Sequence, residues 1–284
     1  MSKMFISAAG LLALAIALCP ALSAQWPKFQ TPGIPRTASG EPQLDAPAPR
    51  TSDGKPDLSG LWRGGLNAGG RRGAAPEPLP PGAPPLANFG NIAANIKEGL
   101  PLQPWAAEVL KKRQADSSKD NPEANCLPMG IMQNHTQGYP RRFLQSPSLV
   151  VILYESWHNF RQLYLDGRPL PAPDPIRQEA WYGYSVGKWE GDTLMVESIG
   201  FRDDGWLDIV GNPMTSAAKV TERFRRPTFG RMEIDITVDD PKAYTRPWTV
   251  RMIQRIMVDE EMMEMICNEN RIFLASEQTN RLNK

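Results

Sequence analysis

From residue 149 onward the chain repeats one pattern: short runs of alternating apolar and polar side chains, separated by turn formers. A period of two puts successive side chains on opposite faces of a β-strand. Residues 149–154 are continuously apolar and 160–165 are mixed. Residues 181–189 and 193–200 flank Glu190-Gly191-Asp192 as a hairpin. A second hairpin is expected from 218–225 and 231–238 about Pro227-Thr228-Phe229-Gly230, and a third from 247–257 and 262–267 about Asp259-Glu260-Glu261. Pro241 and Pro247 sit at strand ends, where a missing ladder donor is tolerated. Eight closely spaced strands without interleaved helices predict a mainly β fold, an antiparallel up-and-down barrel. A sandwich is the alternative, because residues 201–216 are long enough to cross between sheets.

The first half reads differently. Residues 25–102 are dominated by Pro, Gly and Ala, which favours extended or irregular chain. The exception is Pro56-Asp57-Leu58-Ser59-Gly60-Leu61-Trp62, able to anchor a short strand or plug. Pro104 followed by residues 105–115, ending in basic side chains, predicts one short helix packed outside the main body. Residues 126–140, with His135, read as a loop. The expected division is a signal peptide at 1–24, a Pro/Gly-rich arm at 25–145, the barrel at 146–270 and a tail at 271–284.

The start of the chain bears on compartment. Lys3, an apolar run at 5–18, and Ser23-Ala24 before Gln25 form the pattern of a cleaved secretory signal. The run is shorter than the ~20 residues of a membrane span. Cys19 leaves a lipoprotein as an alternative, although Leu18 and Pro20 suit that poorly. The expected location is periplasmic or secreted. Cleavage would leave Cys126 and Cys267, an even pair that an oxidising compartment could join; two separate buried thiols are the other outcome. A net charge of +1 with interspersed signs gives no case for nucleic acid or an anionic membrane.

Candidate chemistry starts with carboxylates on apolar strand faces, since a buried charge is costly unless paired or used. Alternation aligns Glu222 with Ala218, Val220 and Phe224. Glu197 shares a face with Met195 and Ile199, but the opposite face is also apolar, so its direction is ambiguous. A structural ion pair with an Arg is the competing account of both. His158, in the turn Trp157-His158-Asn159, is a candidate proton-transfer group, with Asp166 and Arg168 in the next loop. Asp166-Gly167 is equally well explained as a plain turn. Trp181, Tyr182, Tyr184 and Trp189 are candidates to line a ligand cavity, against ordinary cross-strand packing. Two histidines, without zinc-ligand spacing, disfavour a metal centre; Asp203-Asp204 and Asp239-Asp240 read as turns rather than calcium ligands. No cofactor is implied, there being no phosphate loop or nucleophile elbow.

Thr51-Ser52-Asp53-Gly54-Lys55-Pro56-Asp57-Leu58-Ser59-Gly60-Leu61-Trp62 resembles the opening of a large bacterial family of exported, mostly uncharacterised proteins. Gly183-Tyr184-Ser185-Val186-Gly187-Lys188-Trp189-Glu190-Gly191-Asp192-Thr193-Leu194 resembles that family's core hairpin. Thr221-Glu222-Arg223-Phe224, Asp239-Asp240-Pro241 and Tyr244-Thr245-Arg246-Pro247-Trp248 are similar to its later strands and turn. The resemblance spans residues 50–270 and implies an exported β-rich fold of lipocalin-like type, without an established activity. Histidines frequent in relatives are missing from residues 211–216 here. Three functions are therefore carried forward. The first is an exported lipocalin-like barrel that binds a small apolar or aromatic molecule. The second is a cofactor-independent isomerase, hydratase or lyase, with Glu222 as general base and His158 or Asp166 as acid. The third is an envelope-associated interaction protein.

Overall fold

A computed structural model of the chain describes residues 29–64, 79–172 and 180–267. The expected signal peptide and C-terminal tail lie outside the described residues, as does the side chain of His158. The fold is mainly β. Nine strands close into a barrel, in spatial order β1-β11-β10-β9-β6-β5-β4-β3-β2. They are β1 (Gly60–Arg63), β2 (Pro140–Gln145), β3 (Leu149–Tyr154), β4 (Asn159–Tyr164), β5 (Tyr184–Glu190), β6 (Thr193–Ile199), β9 (Lys219–Thr228), β10 (Arg231–Asp239) and β11 (Trp248–Ile256). The short strands β7 (Gly205–Trp206) and β8 (Pro213–Met214) form a separate ribbon within the long link that had left a sandwich open.

Alternation explains which side chains fill the barrel. On β9, Val220, Glu222, Phe224 and Arg226 point inward; on β10, Met232, Ile234, Ile236 and Val238 do so. In the β9–β10 register Glu222 faces Ile236 and Phe224 faces Ile234, so the two apolar sets share one interior. Phe143, Val150, Ile152, Leu163, Leu194 and Val196 complete it from the other strands. Full burial of an aliphatic or aromatic side chain of this kind contributes about 1.5–3 kcal/mol relative to exposure, which makes this interior the main source of stability.

The structure corrects the sequence reading in four places. First, the barrel is mixed: β4 and β5 run parallel through Leu163↔Ser185 and Tyr164↔Val186, and all other barrel pairs are antiparallel. Second, the barrel does not begin at residue 146. β1 and β2 come from the expected arm and pair with each other, and β1 also pairs with β11 through Trp62↔Ile256 and Arg63↔Arg255. Buried Leu58, Leu61 and Trp62 draw this segment into the wall. Third, residues 262–267 do not pair with β11, because β1 and the bridge Leu86↔Arg251 already occupy its free edge.

Fourth, residues 126–140 are not simply a loop. The expected helix is α1 (Pro104–Ala115), and a second, α2 (Ile131–Thr136), follows it with all six residues buried. It packs against the barrel as a roof. Arg141, at the start of β2, donates to the carbonyls of His135 (3.0 Å), Gln137 (2.8 Å) and Tyr139 (2.9 Å), and so satisfies groups that a helix C-terminus leaves unpaired. Gln254 on β11 donates to the same His135 carbonyl at 2.7 Å and accepts from Arg141 at 2.8 Å.

The disulfide Cys126–Cys267 is formed, with Cα atoms 5.6 Å apart. It ties the turn after the 3-10 helix Pro122–Asn125 to the segment beyond β11, rather than to a last strand. A disulfide fits a chain that folds in an oxidising compartment. Among the described residues no helix is long and apolar enough to cross a membrane.

Candidate functional site

Four inward positions on consecutive barrel strands break the apolar interior and meet. β9 supplies Glu222, β6 Ser198, β5 Ser185 and β4 Arg161, all buried. Ser185 and Ser198 are register partners, and Glu222 pairs with Val196, next but one to Ser198. The four therefore form a polar belt around the wall. Arg161 donates to Glu222 through both terminal nitrogens, at 3.0 Å to Oε1 and closer still to Oε2. The same guanidinium reaches Ser185 Oγ from Nε at 3.1 Å and Ser198 Oγ from Nη2 at 2.9 Å. The hydroxyls satisfy the donors that the carboxylate leaves over.

The belt meets the roof through His135. Its Nε2 lies 2.8 Å from Glu222 Oε1, and its ring stands edge-on to Phe224 at 5.9 Å. Burial alone would raise the Glu222 pKa; Arg161 and the His135 bond overcome it and hold the carboxyl at about 2. Burial lowers the His135 pKa more than Glu222 raises it, leaving a neutral imidazole at pH 7. An ionised carboxylate only accepts, so the proton of neutral His135 sits on Nε2 and Nδ1 carries the lone pair. Nδ1 is buried without a hydrogen-bond partner.

The Tyr154 hydroxyl on β3 is also buried without a partner, as is the Gln133 amide on α2. Tyr154 lies in the field of Arg161 without a well-formed hydrogen bond, and burial pushes its pKa up to about 12. Tyr182 stacks obliquely on Tyr154 at 5.5 Å. Since more than nine in ten buried polar groups in proteins are satisfied, the unpaired His135 Nδ1, and the Tyr154 hydroxyl in the field of Arg161 and Glu222, mark groups that a small molecule or water would satisfy.

Of the residues singled out from sequence, Glu222 is where alternation put it and Tyr182 borders the cluster. Glu197 does not belong to it: its neighbours Val196 and Ser198 take the inward face, so Glu197 points out and pairs with Lys219. Asp166 and Arg168 pair on the surface at 2.6 Å, and Arg168 packs over Tyr164 at 3.9 Å while donating to the Tyr184 hydroxyl. Tyr184 stacks on Tyr164 at 5.3 Å, outside the barrel, and Trp181 lies beneath Arg202 at 4.5 Å. Trp189 packs against the core from its edge. The expected aromatic box thus reduces to Tyr182: Tyr184 alternates outward on β5, Trp181 precedes that strand and Trp189 lies near its end. His158 ends the 3-10 helix Ser156–His158, after the turn residue Trp157.

Sequence reasoning missed His135, Arg161, Tyr154 and the two serines. Arg161 was detectable, since in Asn159-Phe160-Arg161-Gln162-Leu163 it shares a face with Leu163. A six-residue helix carries too little periodicity to reveal His135. Among the described residues no group of three or more His, Cys, Asp or Glu side chains could hold a metal ion. No family model, curated protein or solved structure matches the chain.

Proposed function

We propose that this is an exported barrel protein that takes up a small, largely apolar or aromatic molecule beneath the α2 roof and moves a proton on it without a cofactor. The observation that carries this reading is the buried, unpartnered Nδ1 of a neutral His135 whose tautomer is fixed by Glu222. In this reading His135 is the base that accepts a proton from an acidic C–H or O–H of the ligand. Glu222, held ionised by Arg161, stabilises the imidazolium that forms and is not itself the base. The Tyr154 hydroxyl keeps its proton at neutral pH and donates to a ligand oxygen. Phe143 and Phe224, edge-on at 6.1 Å, supply an apolar wall that suits an aromatic body. Isomerisation, elimination and hydration all need such a proton relay. The signal-like start and the disulfide support export to the periplasm or beyond.

Complete burial of His135 favours a second reading, in which the same groups hold a ligand without turning it over. Native mass spectrometry of the purified mature protein, with analysis of a denatured extract, identifies any retained compound. That compound is then incubated in D2O with the wild type, His135→Gln and Glu222→Gln. Proton-transfer chemistry predicts deuterium uptake or conversion that falls at least a hundredfold in His135→Gln. Retention without exchange in the wild type supports the carrier. Exchange undiminished in a folded His135→Gln variant overturns the assignment of the base.

A further inference from the structure

A cavity lies outside the barrel, where the residues just after α1, the 3-10 helix Pro122–Asn125, the turn at Trp157 and the segment before Cys267 converge. Its volume is about 590 Å³, within the ~300–1,000 Å³ range of small-molecule sites. Ser117 and Ser118 form one side and Tyr139 with Trp157 another, while Glu123 and Glu264 supply carboxylates. The disulfide holds its last wall in place through Cys267.

Three features distinguish this cavity from an ordinary surface cleft. The backbone around it is strained: Ser117, Ser118 and Trp157 have φ of 55°, 52° and 60°, and Cys126, bonded to the lining Cys267, has 58°. Asp259 is the one other non-glycine with positive φ among the described residues. Such conformations are costly for residues with a side chain and gather where a site must be held in shape. Trp157 lines the cavity, and its indole N–H is buried without a hydrogen-bond partner. The lining has carboxylates and aromatic rings, with Tyr139 standing edge-on to Trp157 at 6.2 Å, and no Lys or Arg. No ion pair with Glu123 occurs among the described residues.

We propose that this cavity is a binding site for a small organic cation with an apolar or aromatic body and a hydrogen-bond acceptor. The cationic group is recognised by Glu123 and, through cation–π attraction, by the rings of Tyr139 and Trp157. The acceptor takes the Trp157 N–H. Burial raises the Glu123 pKa, and a cation held beside the carboxylate would lower it again. The site is independent of the His135 cluster and stands or falls separately from it.

Tyramine and tyrosol test the proposal as a pair, because each has a phenolic oxygen and they differ at the other end by ammonium against hydroxyl. Isothermal titration of the disulfide-bonded protein should give saturable tyramine binding at least tenfold tighter than tyrosol. Glu123→Gln should abolish the preference without shifting the melting temperature, and Trp157→Phe should weaken both compounds together. Absence of saturable tyramine binding at millimolar concentration overturns the proposal. So does equal affinity for the two compounds, or a preference that survives Glu123→Gln.

Discussion

Glu222 and Glu197 lie on neighbouring strands and carry the same charge, yet their energetic standing differs. Glu222 is fully buried against Arg161 and His135, whereas Glu197 meets Lys219 at the surface. Removing one partner of a buried pair strands the other charge, so Arg161→Met should cost about 3–5 kcal/mol in urea unfolding. The double variant Arg161→Met with Glu222→Leu should be less destabilised than that single variant, because no charge is stranded. Glu197→Ala should change stability by about 1 kcal/mol or less. The same buried groups set a pH dependence. Glu222 has a folded pKa below its unfolded value, so its stabilisation is present above about pH 4.5 and is lost as pH falls toward 2. That contribution is about 3 kcal/mol. His135, also depressed, must charge on unfolding, so its share begins to fall below about pH 6.5. Melting temperature should therefore decline below pH 6.5, and the first part of that decline should be missing in His135→Gln. Facing this pair are Arg161 from β4, Arg141 from β2 and Tyr154 from β3, none of which changes charge in that range. Residue direction was legible only where one strand face was polar. Lys219, Thr221 and Arg223 fixed Glu222 as inward, while two apolar faces left Glu197 open until the register was known.

The roof helix shows how an element can be decided by contacts that leave no local trace. α2 has neither an acidic first turn nor a side-chain N-cap, and six residues cannot sustain a helix in isolation. Its carbonyl at His135 is instead gripped by Arg141, six residues on, and by Gln254, which is distant in sequence. Gly64, just beyond β1, makes that grip possible. A Cβ at Gly64 would lie 2.2 Å from the His135 carbonyl oxygen and 2.9 Å from Arg141 Nη1. Gly64→Ala should therefore displace α2 and destabilise the protein by more than 2 kcal/mol, with increased amide exchange at residues 131–136 as the measurable sign. The hairpins of β5–β6 and β9–β10 were legible because turn chemistry and alternation agree in them. The third expected hairpin had both signals as well. It fails because β11 spends its edge on β1 and on residue 86, a long-range competition that a local pattern does not contain.

At the scale of the molecule, the fold class was readable from strand spacing, but the limits of the barrel were not. Trp62 and Phe143 sit in short segments within Pro-rich or loop-like sequence, and only their complete burial shows that those segments are wall. The disulfide spans 141 residues, enclosing β2 through β11. In the chain-entropy model a loop of that length contributes about 5 kcal/mol, largely through the unfolded state. Reduction, or Cys126→Ser with Cys267→Ser, should lower the melting temperature by at least 10 °C while the far-ultraviolet spectrum at 20 °C stays that of the barrel. An unchanged melting temperature would mean that the unfolded chain gains little freedom when the bridge is cut.

The seam where β1 meets β11 has one more consequence, for the order of assembly. Trp62 cannot find Ile256 until nearly the whole chain exists, and β1 reaches β2 across 76 intervening residues. Pairing at such separation is slow. The hairpins can form as the chain emerges, but the ring itself must wait, and until then β2 and β11 each expose an unpaired edge. A newly made molecule would thus pass through an open sheet, the stage at which a chaperone that covers strand edges would matter most.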